Sequence, residues 1–586
     1  MIFFYLLGLG PIPKKWRGVC AGGGNFSCNN KIIGARFYGD GYVSARDSAG
    51  HGTHTTSTTG GIEVKDVSFY GLAKGTARGG VPSSRIAAYK VCRDTGTCSD
   101  DVILAAFDDA IADGVDIITI SICPDNALDF LKDPVSIGSF HAMEKRILTT
   151  QSAGNSGRIP SSVCSGAPSL VTVAATSIDR QFIDKIVLGN GKTFIGKSIN
   201  TIPSNGTKSP IAVRNAQACP AGGNASPEMC DCIDKNMVKG KLVLCGSLIS
   251  GELAYVNGAI GSIFNVRKSR LDVSDVTQKP SLNLETNDFI HVQSYTNSTK
   301  YPIAEILKSE IFRNNNAPRI VSLSSRGPNL LVPKIMKPDI SSPGVEILAA
   351  YSPIASPTYY PSDKRRVKYN ILSRTSMACP RVAGVVAYVK SFHPNWSPAT
   401  LKSAIMTTAK LVKGHYDDLA GEFAYGSGNI NPQQAIHPGL VYDITKQDYV
   451  QMLCDYGYDT NKIKQITGDN SSCHQASKRS LVKDINYPTM VIPVYKHFNV
   501  KIHRTVTNVC FHNSTYKATL IHHNSKIKIS VEPKLLSFKS LHEKKSFVVT
   551  VVGEAKSNQT VFSSTLIWSD GTHNAKSPII VQRLSR

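Results

Sequence analysis

Apolar positions fall into two alternating rhythms along the first half of the chain. Residues 85–92 form a short apolar run, and 115–122 form another of the kind that a parallel sheet buries on both faces. Between them Ile103, Ala106, Phe107, Ala110 and Ile111 keep a helical period. Ser99 reads as that helix's N-cap, Asp100 and Asp101 as its acidic first turn, and Gly114 as its stop. A second helical stretch over about 134–146 leads into a strand at 147–152. Strand–helix–strand repetition predicts a doubly wound α/β sheet whose site lies on loops at the carboxyl ends of the strands. From about 205 to 315 the rhythm breaks into short strands around 241–245 and 259–264, an inserted β-rich module, and it resumes near Arg319. Within residues 371–388, Ser376 leads a run of small and apolar residues dense enough for a helix buried on nearly all sides, with Pro380 expected in its first turn. A further helix has Ser397 as N-cap, Pro398 at its first position and 399–409 as its body. From Asp484 onward, strands at 500–506, 526–531, 546–552 and 565–568 predict a β-sandwich of roughly one hundred residues.

Length adds that 586 residues exceed one domain. Hydrophobic residues at 41% and charged residues at 19% describe a globular chain. No run of eighteen apolar residues is present, so no membrane-spanning helix is expected. The formal charge of +23 invites a polyanion, but Lys and Arg are scattered and no nucleic-acid motif appears, so the charge reads as a surface property. The 14 cysteines include close pairs at Cys20/Cys28, Cys92/Cys98 and Cys454/Cys473, and a cluster at Cys219, Cys230, Cys232 and Cys245. None has zinc-type spacing, so no metal or cofactor is expected. Glycosylation sequons at Asn25, Asn205, Asn224, Asn297, Asn395, Asn470, Asn513 and Asn558 join the cysteines in favouring an oxidising, secretory compartment. The start, residues 1–7, is apolar like a signal but lacks a basic leader and a long enough core.

The candidate chemistry begins at Ser376, whose hydroxyl and backbone N–H are expected at the positive end of the helix it leads. Such a serine can attack a carbonyl while its own N–H steadies the oxyanion. A lone serine there is more often a cap, so a base and a second donor are needed. Gly50-His51-Gly52-Thr53-His54 and Ser152-Ala153-Gly154-Asn155-Ser156-Gly157 supply the candidates.

With these in place the chain resembles the subtilisin-family serine proteases, in particular their plant, cucumisin-like branch. The likeness runs from about Gly8 to the C-terminus on ordered blocks: GHGTH at 50–54, SAGNSG at 152–157, SSRGPN at 324–329, KPDISSPGVEILAA at 337–350, TSMACP at 375–380 and SPATLKSAIMTTA at 397–409. The resemblance implies a subtilisin-like α/β catalytic domain over 1–204 and 316–480, a protease-associated β-rich insert over 205–315, and a fibronectin-III-like β-sandwich over 484–586. It implies hydrolysis of peptide bonds in protein substrates, with Ser376 as nucleophile, His51 as general base and Asn155 as oxyanion donor. Substrate backbone would lie along Ser121 and Ile122 and along Ser152, Ala153 and Gly154. It further implies an extracellular setting and dimer contact or substrate access through the insert.

Four departures bear on activity. The family's catalytic Asp lies in a strand before the histidine, and no such block is present; the acids there are Asp40 and Asp47, and neither is expected to take its place. The signal, the propeptide and that first strand are all expected to be missing. Arg374 stands where the family has Gly, Arg381 where it has His, and Cys123 where it has Gly. Together these lead to two expectations, an impaired endopeptidase or a non-catalytic glycoprotein that binds peptides or partners.

Overall fold

The computed structural model describes residues 9–584 except 40, 42, 94–95, 125–126, 204, 213–234, 246–247, 267–271, 359, 413–419, 474–481, 523–526 and 556–560. The elements that position the cleft are, in chain order, strand β1 (Ile32–Phe37), helix α1 (His51–Gly60), β2 (Ile86–Lys90), α2 (Asp100–Asp113), β3 (Ile117–Ile120), α3 (Pro134–Glu144), β4 (Leu148–Ser152), β5 (Val171–Thr176), β6 (Ile340–Pro343), α4 (Thr375–Phe392) and α5 (Pro398–Thr407). Strands β6, β5, β4 and β3 form a parallel sheet in that order, and β1 and β2 form a separate parallel pair. Every residue of β4 and β5 is buried, as expected for strands covered on both faces. β3 departs from its sequence pattern, because its residues are only half-buried or exposed. The cause is topological: among the described residues β3 has a partner on one side only.

Local signals set the helices. α2 carries Asp100 and Asp101 in its first turn and stops at Gly114, whose φ of 81° is the left-handed conformation that glycine tolerates. Ser397 caps α5 by accepting from the Thr400 N–H, and Pro398 follows where its missing donor costs little. The main core packs α4 and α5 against the four-stranded sheet through Val382, Val386, Leu401, Ile405, Val171 and Val173.

Residues 209–306 hold helices as well as strands: a parallel sheet of Leu242–Cys245, Gly261–Val266 and Ser281–Glu285, with helices Leu248–Val256 and Thr286–Ser298 between and after its strands. A neighbouring sheet pairs Ile303–Ile306 with Arg180–Leu188, which pairs in turn with Thr193–Gly196. The module is therefore continuous in hydrogen bonding with strands that precede residue 205. At the C-terminus two antiparallel-rich sheets enclose Trp568, Phe547, Val549 and Leu566, a β-sandwich of the kind expected.

The close cysteine pairs at 20/28, 92/98 and 454/473 are disulfides. Cys123 and Cys164, 41 residues apart, form another. Cys219, Cys230 and Cys232 lie outside the described residues.

Candidate active site

The nucleophile candidate is held by a helix start that differs from the sequence expectation. α4 begins at Thr375, with Arg374 as N-cap in extended conformation, so Ser376 is its second residue. Its amide is one of the donors that a helix leaves unpaired in its first turn. Pro380 is therefore the sixth residue, past the first turn where it was expected. A proline there cannot donate to the carbonyl four residues back, that of Ser376. The vacancy is filled from outside: the Ser121 hydroxyl donates to the Ser376 carbonyl oxygen at 3.1 Å.

Asn155 is fixed from the same turn. Its Oδ1 accepts from the Thr375 N–H and from the Thr375 hydroxyl, each at 3.0 Å. With the oxygen engaged, the Nδ2 donors are left for the cleft. Gly154 makes the turn possible, with φ of 103° and a position where a Cβ would lie 2.8 Å from Ser325 Oγ.

His51 opens α1. The preceding Gly50 has φ of 86°, and a Cβ on it would overlap the Tyr351 ring at 2.2 Å. Asp47 holds this end of the helix. Its Oδ1 accepts from the Gly50 and Ala49 N–H groups at 2.8 and 3.1 Å, and its Oδ2 from the Thr53 N–H and hydroxyl, each at 2.6 Å. Both oxygens are thus committed, and no hydrogen bond joins Asp47 to the His51 ring. Asp40 lies outside the described residues. Burial pushes the His51 imidazole below its usual pKa; Asp47 opposes this and Arg374 reinforces it.

His51, Ser121, Ile122, Ser152, Asn155 and Ser376 line one cleft of about 2060 Å³. Ala153 and Gly154 lie beneath it, buried, with their backbone groups engaged: the Ala153 N–H donates to Val173, and the Gly154 oxygen accepts from Ser325 N–H. Ile122 is steadied by Gln151, whose side-chain amide donates to its carbonyl at 3.0 Å. Thr375 and the Cys123–Cys164 disulfide, which ties the segment after β3 to the loop after Asn155, escaped sequence reasoning. Thr375 lay inside a quoted motif but carried no role, and a 41-residue spacing gives no pairing signal.

Arg374 is half-exposed, donating to the Ser373 carbonyl at 3.0 Å and lying 4.0 Å from Asp275 Oδ1. Arg381, on α4, has its Nε sealed from solvent without an acceptor, and burial pushes its pKa down to about 10. Among the described residues, no cluster of His, Cys, Asp or Glu could hold a metal ion.

The second histidine of the motif has a structural place. His54 is fully buried with Nε2 2.9 Å from the Ile347 carbonyl oxygen, and burial pushes its pKa down to about 3. Its contribution to stability is complete above the unfolded value near 6.5 and is lost as pH falls from there toward 3. By pH 5 this histidine alone is expected to cost about 2 kcal/mol relative to pH 7. Urea denaturation at the two pH values measures it, and a His54→Leu chain should lack this part of the slope.

Three comparisons complete the picture. Residues 29–428 match the subtilase family model, and 484–581 match a fibronectin type-III domain. The subtilisin-like protease SBT4.3 of Arabidopsis thaliana is 52% identical over 583 residues, 98% of this chain and 78% of its own length. SBT4.4 of the same plant is 50% identical over 99% of this chain and 79% of its own length. The psychrophilic subtilisin-like protease Apa1 of the Antarctic psychrotroph Pseudoalteromonas sp. AS-11 aligns over 69% of this chain and 88% of its own, at 16% identity and a TM-score of 0.33.

Proposed function

The chain belongs to the subtilase family of serine-type peptidases, and from that premise we propose that it cleaves peptide bonds in proteins through Ser376, His51 and Asn155. The Ser376 oxygen attacks the scissile carbonyl carbon while His51 takes the hydroxyl proton. Negative charge gathers on the substrate oxygen between the Ser376 N–H and Asn155 Nδ2. His51 then gives its proton to the leaving amine, and water frees the acyl group by the same steps in reverse order of partners. Substrate backbone lies along Ser121 and Ile122 on one side and Ser152 on the other, over the buried Ala153 and Gly154. The observation that carries this reading is the anchoring of Asn155 Oδ1 on Thr375, the residue next to the nucleophile.

Labelling of Ser376 by a fluorophosphonate is the test: a folded chain that never labels defeats the reading. Asn155→Ala is expected to lower kcat by about 10²–10³ with little change in KM, the penalty known for the equivalent deletion in subtilisin. A fluorogenic peptide assay measures both constants, and a loss confined to KM would mean that the amide does not meet the oxyanion.

The commitment of both Asp47 oxygens supports an impaired enzyme and favours a second reading, a secreted glycoprotein that holds peptides in the cleft without cleaving them. Turnover of an unstructured protein that disappears in Ser376→Ala would exclude it. The disulfides Cys20–Cys28, Cys92–Cys98, Cys123–Cys164 and Cys454–Cys473 support an extracellular setting. The module after β5 is read as the family's protease-associated insert, and exposed Val256, Ile290 and Tyr301 support a role for it in contact with a second copy.

A further inference from the structure

Beyond β3 and β4 the chain is cross-linked inside the cleft. The two strands pair as far as Ile120 opposite Gln151, and the chain then runs on through Ser121-Ile122-Cys123 on one side and Ser152-Ala153-Gly154-Asn155 on the other. Two links bridge the space between these segments. The Gln151 side-chain amide reaches across to the Ile122 carbonyl at 3.0 Å, and Cys123 is bonded to Cys164. Cys164 belongs to the loop that follows Asn155, and its N–H donates to the Ala153 carbonyl at 3.1 Å. It is 2% exposed, and a Cβ placed on Gly154 would lie 3.7 Å from its own Cβ.

The sulfurs occupy a definite place. Both stand 3.1 Å from the Ser152 carbonyl oxygen, and Cys123 Sγ is 3.6 Å from the Ser152 hydroxyl. A disulfide sulfur has no hydrogen to give, so these are packing contacts. Cys123 lines the cleft together with Ser121, Ile122, Ser152 and Asn155, so the bridge runs from the cleft wall into the buried loop beside Gly154. A glycine at 123 would leave this space open; here sulfur fills it.

An extended peptide laid between the two segments turns alternate side chains toward the space between them. The residue whose carbonyl meets Asn155 and Ser376 stands over Gly154, and its side chain is directed at the bridge. A single cysteine could swing to another rotamer to make room, but a side chain tethered at both ends cannot. The floor is made of sulfur, a serine and backbone, with no charge to hold a basic or acidic group. We propose that the Cys123–Cys164 disulfide floors the pocket for this residue and limits the cleft to peptides in which it is glycine, alanine or serine. The proposal rests on the reading of Ser376 and Asn155 as a peptide site, and the experiment separates the two.

The probes are fluorescein-labelled peptides with free carboxyl ends, Gly-Ser-Val-Val-Ala and Gly-Ser-Val-Val-Phe, titrated with the full chain. The terminal carboxylate takes the place of the oxyanion, which fixes the register. An open apolar slot favours the larger side chain. A filled one should bind the Ala peptide at least tenfold more tightly than the Phe peptide by anisotropy, with Gly, Ser, Val and Leu ends falling in order of volume. In the chain carrying Cys123→Gly and Cys164→Ala the preference should shrink below threefold or reverse. If that variant does not fold, the volume series on the unaltered chain decides.

Equal or tighter binding of the Phe peptide, no binding of either, or an unchanged preference in a folded double variant each overturns the proposal. Fluorophosphonate, which carries no such side chain, reads the other question at Ser376. Labelling without discrimination between the peptides would defeat the disulfide floor and leave the protease reading standing. Discrimination in a chain whose Ser376 never labels would uphold the floor and defeat the protease reading alone.

Discussion

His51→Ala is expected to slow peptide hydrolysis by the chain on its own by only about 70-fold, far less than a catalytic histidine is usually worth. In subtilisin, loss of the serine or the histidine alone costs about 2 × 10⁶ in kcat, and loss of the acid alone about 3 × 10⁴. The three act as a unit, so their penalties do not add. With no carboxylate hydrogen-bonded to the His51 ring among the described residues, the chain starts near the second figure and ends near the first, a ratio of roughly 70 or about 2.5 kcal/mol. Ser376→Ala should reach the same floor, and the double variant should fall no further. The physical basis is the bonding of Asp47: with two acceptors engaged by four donors around the start of α1, it orients the helix and leaves the imidazole tautomer unsupported. Steady-state kinetics on a fluorogenic peptide decide it. A drop approaching 10⁶ would mean that an acid already orients His51.

How far the site could be read in advance depends on the range over which each residue is fixed. His51, Asn155 and Ser376, which line one cleft, could be singled out in advance because each stands in a short motif whose glycines or helix start are local necessities: Gly50 and Gly154 take backbone angles that side chains disfavour. Pro380 was misplaced because the start of α4 is set from a distance. Asn155 accepts the Thr375 amide across 220 residues, and this draws the first turn earlier than the sequence suggests. The half-burial of β3 was illegible for a related reason. An apolar run predicts burial on both faces only if strands stand on both sides, and neighbours are a property of the sheet. Likewise Cys123 read only as a departure from the family's glycine, whereas it is bonded to Cys164.

The block Lys337-Pro338-Asp339 shows the same limit from the other side: it could be quoted as a family mark, but its physics lies in partners far along the chain. Asp339 is fully buried. Its Oδ2 accepts from Lys337 Nζ and from the Thr172 N–H, each at 2.7 Å, while Lys402 Nζ lies 3.3 Å from Oδ1 and the Tyr487 hydroxyl donates to that same oxygen. Lys402 also sits 4.2 Å from the centre of the Tyr487 ring. Tyr487 belongs to the stretch that matches the fibronectin type-III domain, so one carboxylate joins the sheet, α5 and the C-terminal sandwich.

Burial alone would raise the Asp339 carboxyl, but Lys337 and Lys402 outweigh it and hold it low. Burial pushes both lysines down, and the charge of Asp339 opposes that shift. Asp339→Ala is therefore expected to destabilise the chain by about 3–5 kcal/mol, because two ammonium groups lose their counter-charge inside the core. Tyr487→Phe, which removes one hydrogen bond, should cost only about 1 kcal/mol. The signature of an orphaned cation is its pH dependence. In Asp339→Ala the buried lysines have pKa values below those of the unfolded chain, so stability should recover as pH rises toward the unfolded lysine value near 10.4. Adding Lys402→Met should recover part of the loss at neutral pH. Urea denaturation followed by tryptophan fluorescence measures each quantity, and a penalty that is flat with pH and unchanged by Lys402→Met would show that lost packing, and no stranded charge, sets the cost.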